Sequence, residues 1–225
     1  MRESGILLGM DTCGTTGSIA LGRADASGLK LLGQRELAGG EVAARIVPAI
    51  AELLGESGSS AAELAGIVVV AGPGSFTGIR VGLSAAKALA EACGAPVIAV
   101  SRLALLANVS KMACVALDAH RGQVYLGIYE PGAAAEEMLV TAGEFSALGR
   151  LPGPVAFCEE GVAHLMDTVA EAELWRVLTP KAFDALSFGL GRWRAGEFED
   201  VATLDGYYLR GADAKTQAAL AAGRG

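Results

Sequence analysis

Residues 71–90 read AGPGSFTGIRVGLSAAKALA, setting four glycines within twelve positions before running on as small and apolar residues. A compact run, GIVVVAG (66–72), precedes them, and PVIAVS (96–101) follows. Short β-branched runs bounded by glycine are expected as buried strands. Ser75 is suited to an N-cap and Gly94 to a C-cap, with Pro96 just beyond, which predicts a helix from Ser75 to Cys93. A strand, helix, strand succession implies a parallel pair joined by a crossover helix, so the fold class is expected to be α/β.

Upstream, GILLGM (5–10), SIALG (18–22) and LKLLGQREL (29–37) predict three strands in a hairpin opening. EVAARIVPAIAELL (41–54) has helical spacing, with Val42, Ile46, Ile50 and Leu53 along one side. Pro48 is expected to kink or restart that helix. Downstream, ACVALDAHRGQVYLGIYE (113–130) repeats the opening pattern: an apolar strand, an aspartate at its carboxyl end (Asp118, as Asp11 before), a nearby glycine and a second strand. The repeat predicts two related domains, 1–105 and 106–210, followed by a partly disordered tail, 211–225. MLVTA (138–142) and GPVAFCEEG (153–161) are expected as strand pieces and PGAAAEE (131–137) as loop. GVAHLMDTVAEAEL (161–174) and AFDALSFGLGRWRAG (182–196) are expected as helices, the last able to pack back on the first domain.

With 52% hydrophobic and 19% charged residues, the 225-residue chain has ample core material. A net charge of -7 argues against a protein that grips nucleic acid by itself, because such binding replaces counterions with cationic side chains. Cys13, Cys93, Cys114 and Cys158 are scattered without a CxxC pair, as expected of reduced thiols rather than a disulfide framework or zinc site. No apolar run is long enough for a secretion signal or a membrane span, so a soluble, cytoplasmic protein is expected. His120 and His164 are the only histidines and form no HxxxH or HExxH pattern; both are expected at the surface.

Two loops raise the question of phosphate. In DTCGTT (11–16), Asp11 could hold a hydrated Mg²⁺ while Thr12, Gly14 and Thr15 cup an anion. The alternative is a turn that merely reverses two strands, with Asp11 and Thr12 bonding local amides. GPGSFTG (72–78), with Gly74 and Ser75, could place an anion at a helix amino end, or could simply turn strand into helix. It matches neither GxxxxGK[ST] nor GxGxxG. Asp118 could act as a second metal-side carboxylate, or pair locally with Arg121.

The helix after Ser75 says more. Arg80, Ser84, Lys87 and Glu91 fall on one narrow stripe, leaving roughly 220° of arc without a polar group, about twice what one sheet needs. Gly78 and Gly82 would let a neighbouring backbone come close. The 41–54 helix repeats the pattern, its polar stripe being Glu41, Arg45, Pro48 and Glu52. Two such helices predict a subunit interface, unless they bury each other or the second domain covers them.

AGPGSFTGIRVGLSAAKALA, ILLGMDTCGTTGSIALG (6–22), LDAHRGQVYLGIY (117–129) and the late YYLR (207–210) together resemble the TsaB (YeaZ) family, in the right order across nearly the whole chain. The resemblance implies an actin/Hsp70/sugar-kinase-like (ASKHA) fold of two α/β domains with duplicated, mixed five-stranded sheets. It implies a non-catalytic subunit, without metal ligands, for making threonylcarbamoyladenosine on tRNA. Such subunits pair with the catalytic TsaD through the first two helices of the N-terminal domain, the ATPase TsaE joins the pair, and tRNA is reached indirectly. On this chain Val42, Ile46, Ile50, Ile79, Gly82, Leu83 and Ala86 are then the interface candidates. No cofactor is implied for the chain itself, with ATP or ADP and Mg²⁺ able to bind in the assembled complex, and a homodimer is expected when the chain is alone.

The chain also departs from the family pattern. Gly39-Gly40-Glu41 stands where the family has His-Ser-Glu, Cys158-Glu159-Glu160-Gly161 is at most a vestige of an adenosine-side glycine motif, and Asp205-Gly206 precedes Tyr207 where proline is common. The rival reading is an independent phosphotransferase that uses Asp11 and Asp118 with Mg-ATP. The histidine count speaks against a third reading, glycoprotease activity.

Overall fold

The computed structural model describes residues 2–149, 151–166 and 172–210. The expected tail, 211–225, lies outside them. The chain forms two compact units, Met1–Val100 with Lys181–Gly206, and Ser101–Pro180 with the chain from Tyr207. The sequence places one division near residue 105; in the structure the chain crosses at 100/101 and again at 180/181 and 206/207.

The first unit is built on β1 (Gly5–Asp11), β2 (Thr16–Asp25), β3 (Gly28–Ala38), β4 (Leu64–Val70) and β5 (Val97–Val100), in the order β3-β2-β1-β4-β5. β1 pairs antiparallel with β2 and parallel with β4, so hairpin and crossover meet in one mixed sheet. Helices α1 (Val42–Glu56) and α2 (Phe76–Cys93) cover one face, α1 over β2 and β3, α2 over β4 and β5. Ser75 accepts the Gly78 N–H and Gly94 closes α2 in the left-handed conformation, as the sequence predicts. α1 is one continuous helix through Pro48 and does not restart there. Pro48 and Ala44, whose carbonyl the proline ring deprives of a donor, are both exposed, and water can satisfy that carbonyl.

The opposite face is covered by a late helix, numbered α6 below, over Ala182–Ala195. Trp193 is fully buried and donates from Nε1 to the Ala65 carbonyl at 2.9 Å. Gly5, Gly9, Gly22 and Gly66 make room for it: a Cβ on Gly66 would lie 2.7 Å from the Trp193 ring, and one on Gly9 2.5 Å from the Ala182 carbonyl. Covered on both faces, β1 and β4 are apolar almost throughout, as a buried central strand must be.

The second unit begins with α3 (Arg102–Ser110), which the sequence reading misses, and carries β6 (Cys114–Asp118), β7 (Gln123–Ile128), β8 (Glu136–Thr141), α4 (Ala142–Ala147), β9 (Val155–Phe157), α5 (Glu160–Met166) and β10 (Leu174–Arg176). The strand order is β10-β9-β6-β7-β8, with β6 antiparallel to β7 and parallel to β9. Its sheet thus has the same arrangement as the first: two antiparallel pairings on one side of the central strand, two parallel on the other. The expected helix 161–174 ends by Met166 among the described residues, and Leu174 instead opens β10; the loop expected at 131–137 gives up Glu136 and Glu137 to β8. The core here centres on Cys114, Ala116, Val124, Leu126, Val155 and Phe157.

Candidate partner-binding face and the strand-end loops

The two glycine-bearing loops pack against each other. Asp11, at the end of β1, is 5% exposed, and its Oδ1 accepts the Cys13 N–H at 2.9 Å. Thr12 donates from Oγ1 to the Gly78 carbonyl at 2.6 Å, and the Ser75 N–H donates to the Cys13 carbonyl at 2.8 Å. A Cβ on Gly78 would sit 1.9 Å from the Thr12 carbonyl oxygen, and one on Gly82 2.4 Å from Thr12 Oγ1. Gly74 has a φ of 157° and lies against Cys13 in the same way. The neighbouring backbone for which Gly78 and Gly82 leave space is therefore this chain's own 11–13 loop. Gly14 is half-buried and Thr15 exposed, just before β2. Gly39 meets Thr15: a Cβ there would lie 2.0 Å from the Thr15 carbonyl, so a side chain at this position, as in His-Ser-Glu, requires a different backbone path.

In the second unit, the Asp118 carboxylate accepts the His120 N–H at 2.6 Å and stands 3.0 Å from its Nδ1; its partner is His120 and not Arg121. Gly161 approaches so closely that a Cβ would lie 2.0 Å from Asp118 Oδ2, which gives that glycine a packing reason. Glu159 accepts the Asp118 N–H at 2.7 Å and pairs at 2.9 Å with Arg102, whose side chain is 4% exposed. No spacing rule links residues 102 and 159, so sequence offered no signal for this pair. His120 and His164 are both exposed, as expected. No group of three or more His, Cys, Asp or Glu among the described residues could hold a metal ion.

The faces of α1 and α2 can now be separated. Val42, Ile46, Ile50, Ile79, Gly82, Leu83 and Ala86, expected as interface candidates, are all buried within the first unit. Ile46 also lines the floor of the groove between the two helices, and the others face the sheet and the other helix. The outward apolar surface is made by other residues: Ala43, Ala44 and Val47 on α1, Phe76, Val81 and Ala88 on α2. Val47 is 59% and Phe76 55% exposed. A groove of about 570 Å³ runs between the helices, lined by Ala43, Val47, Phe76, Arg80, Val81 and Ala88 among others. Arg80 stacks on the Phe76 ring at 3.8 Å and is the one cation in the lining. Large apolar side chains this exposed, in a contiguous groove, make this face the candidate for an interaction.

Two units with matching mixed five-stranded sheets define an ASKHA-type α/β chain. In agreement, component A of (R)-2-hydroxyglutaryl-CoA dehydratase from Acidaminococcus fermentans shares the fold, with a TM-score of 0.52 over 84% of this chain and 98% of that one at 11% identity. Residues 36–188 match the family model described as TsaD, tRNA N6-adenosine threonylcarbamoyltransferase. A structure from Pseudomonas aeruginosa, described as an uncharacterized protein with similarity to peptidase YEAZ, has a TM-score of 0.75 at 25% identity and covers 93% of this chain and 100% of that one. The tRNA threonylcarbamoyladenosine biosynthesis protein TsaB of Escherichia coli is 29% identical over 78% of this chain and 83% of its own length; that of Bacillus subtilis is 41% identical over 38% and 39%. The chain belongs to the TsaB (YeaZ) family. Among the described residues, no helix is long and apolar enough to cross a membrane.

Proposed function

We propose that this chain is a non-catalytic partner subunit in threonylcarbamoyladenosine synthesis, pairing with the catalytic TsaD through the outward face of α1 and α2. The observation that carries the reading is the groove around Val47, Phe76 and Arg80, apolar and exposed on a unit whose own sheet is already covered on both faces. The pair then recruits the ATPase TsaE in the cytoplasm, and tRNA is held by the assembled complex, since an acidic chain with net charge -7 lacks the cations to hold it alone. Any ATP or ADP with Mg²⁺ binds in that complex, and the chain itself requires no cofactor. Without TsaD the same face pairs with a second copy of the chain.

The phosphotransferase reading needs Asp11 and Asp118 free to hold Mg-ATP. Here Asp11 is buried against the Cys13 amide, and the partly buried Asp118 is bonded to His120, which favours the partner reading. Reconstitution with TsaD, TsaE and tRNA tests it: modification should depend on adding this chain. Full activity without it would overturn the proposal, and turnover of Mg-ATP by the isolated chain would favour the rival.

A further inference from the structure

The chain enters the second unit at Ser101 and again at Tyr207. Both residues face one carboxyl, Glu137 of β8. Ser101, the N-cap of α3, donates from Oγ to Glu137 Oε1 at 2.6 Å. Tyr129, just beyond β7, donates its phenol hydrogen to the same oxygen. The Tyr207 phenol lies alongside from the returning chain. Glu137 Oε2 is buried and makes no hydrogen bond with any described residue.

The chemistry of the surroundings is one-sided. Among the described residues, the groups that interact with Glu137 are Ser101 at the N-cap of α3, Tyr129 from the end of β7 and Tyr207 from the returning chain, with no cation and no second carboxyl. Glu159 has Arg102 to offset its burial, whereas a charge on Glu137 has hydroxyls alone. Burial therefore pushes the Glu137 carboxyl above the usual carboxylate range. Burial and the neighbouring Glu137 also push both phenols up, so Tyr129 and Tyr207 remain donors.

We propose that Glu137 is a proton-dependent latch: as a neutral acid it ties the two segments that enter the second unit to β8, and its ionisation favours their release. A neutral carboxyl can accept from Ser101 and Tyr129 on Oε1 at no cost of buried charge. Once ionised, it gains by opening to water. The latch owes nothing to the partner reading, since every group in it belongs to the second unit.

The sign follows from linkage. A raised folded-state pKa stabilises fully below the ordinary value of 4.5, and that stability is lost as pH rises through the folded value. The test is urea unfolding of the full chain and of Glu137→Gln, a neutral isostere, from pH 4 to pH 9. The folding constant of the native chain relative to Glu137→Gln should fall by up to about tenfold per pH unit above the ordinary carboxylate value, then level off. Hydrogen exchange corrected for intrinsic rates should show Ser101–Leu106 and Tyr207–Leu209 losing protection over the same range in the native chain alone. A pH-independent ratio, or one that rises with pH, overturns the latch. Should Glu137→Gln fail to fold, Tyr129→Phe decides: removing a donor to the ionised form should carry the decline to higher pH, and an unmoved profile overturns the proposal.

Discussion

The Thr12 hydroxyl hydrogen-bonds the Gly78 carbonyl at 2.6 Å across 66 residues of sequence, and this contact joins the first strand-end loop to the start of α2. Glycine is required at 78 because the Thr12 carbonyl occupies the place of a Cβ. The glycines of GPGSFTG thereby acquire a reason that involves no ligand.

Gly78→Ala should consequently destabilise the first unit by about 1–3 kcal/mol, the usual cost of overpacking a site that backbone must vacate. Gly40→Ala, where a Cβ would meet nothing within 4 Å, should stay within about 0.5 kcal/mol of the parent. Urea midpoints of the two variants make the comparison, and equal effects would contradict the packing account.

α6 belongs to the first unit through Trp193 and the four glycines beneath it. A fragment ending at residue 105 should therefore lack cooperative unfolding by circular dichroism, since one face of its sheet is bare. In the full chain, Trp193→Ala should cost about 3–5 kcal/mol, as removal of a fully buried tryptophan does.

The ion pairs differ by burial. Arg102 and Glu159 are 4% and 17% exposed at their side chains, and Glu159→Gln should cost about 3 kcal/mol with little dependence on salt. Arg45 and Glu52, on the surface of α1, are about half exposed, and Glu52→Gln should cost no more than about 0.5 kcal/mol. Thermal unfolding at low and high salt distinguishes the two.

Much of the architecture was legible because it is local. The β-branched runs, the caps at Ser75 and Gly94, and the echo of Asp11 in Asp118 each leave a mark within a dozen residues. α3 escaped notice because RLALLANVS is short and apolar on several sides, packed among β6, β7 and β9. β10 has three residues and is a strand only through its parallel partner β9, a contact that no periodicity reports. The wide apolar arcs of α1 and α2 were legible, but an arc apolar almost all round cannot say which side the sheet takes. Burial assigns Leu83 and Ile79 to the core and leaves Val47 and Phe76 outside. Phe76 carried the one usable hint, a large aromatic on the first turn of a helix and one turn before Arg80, which stacks on it.

Leu83→Glu should accordingly unfold the first unit, because it sets a charge at a position 5% exposed. Loss of partner binding in that variant would be uninformative about the surface; circular dichroism should already show the loss of structure. A natively folded Leu83→Glu chain would contradict the assignment of faces.

The most direct measurement is co-purification of TsaD with this chain and with Val47→Glu, which alters the exposed face at a residue 59% exposed. The account predicts a one-to-one complex for the native chain and its loss for Val47→Glu, with the unfolding midpoint unchanged. Undiminished pairing of TsaD with Val47→Glu and with Phe76→Glu would contradict the claim that this face is the partner surface.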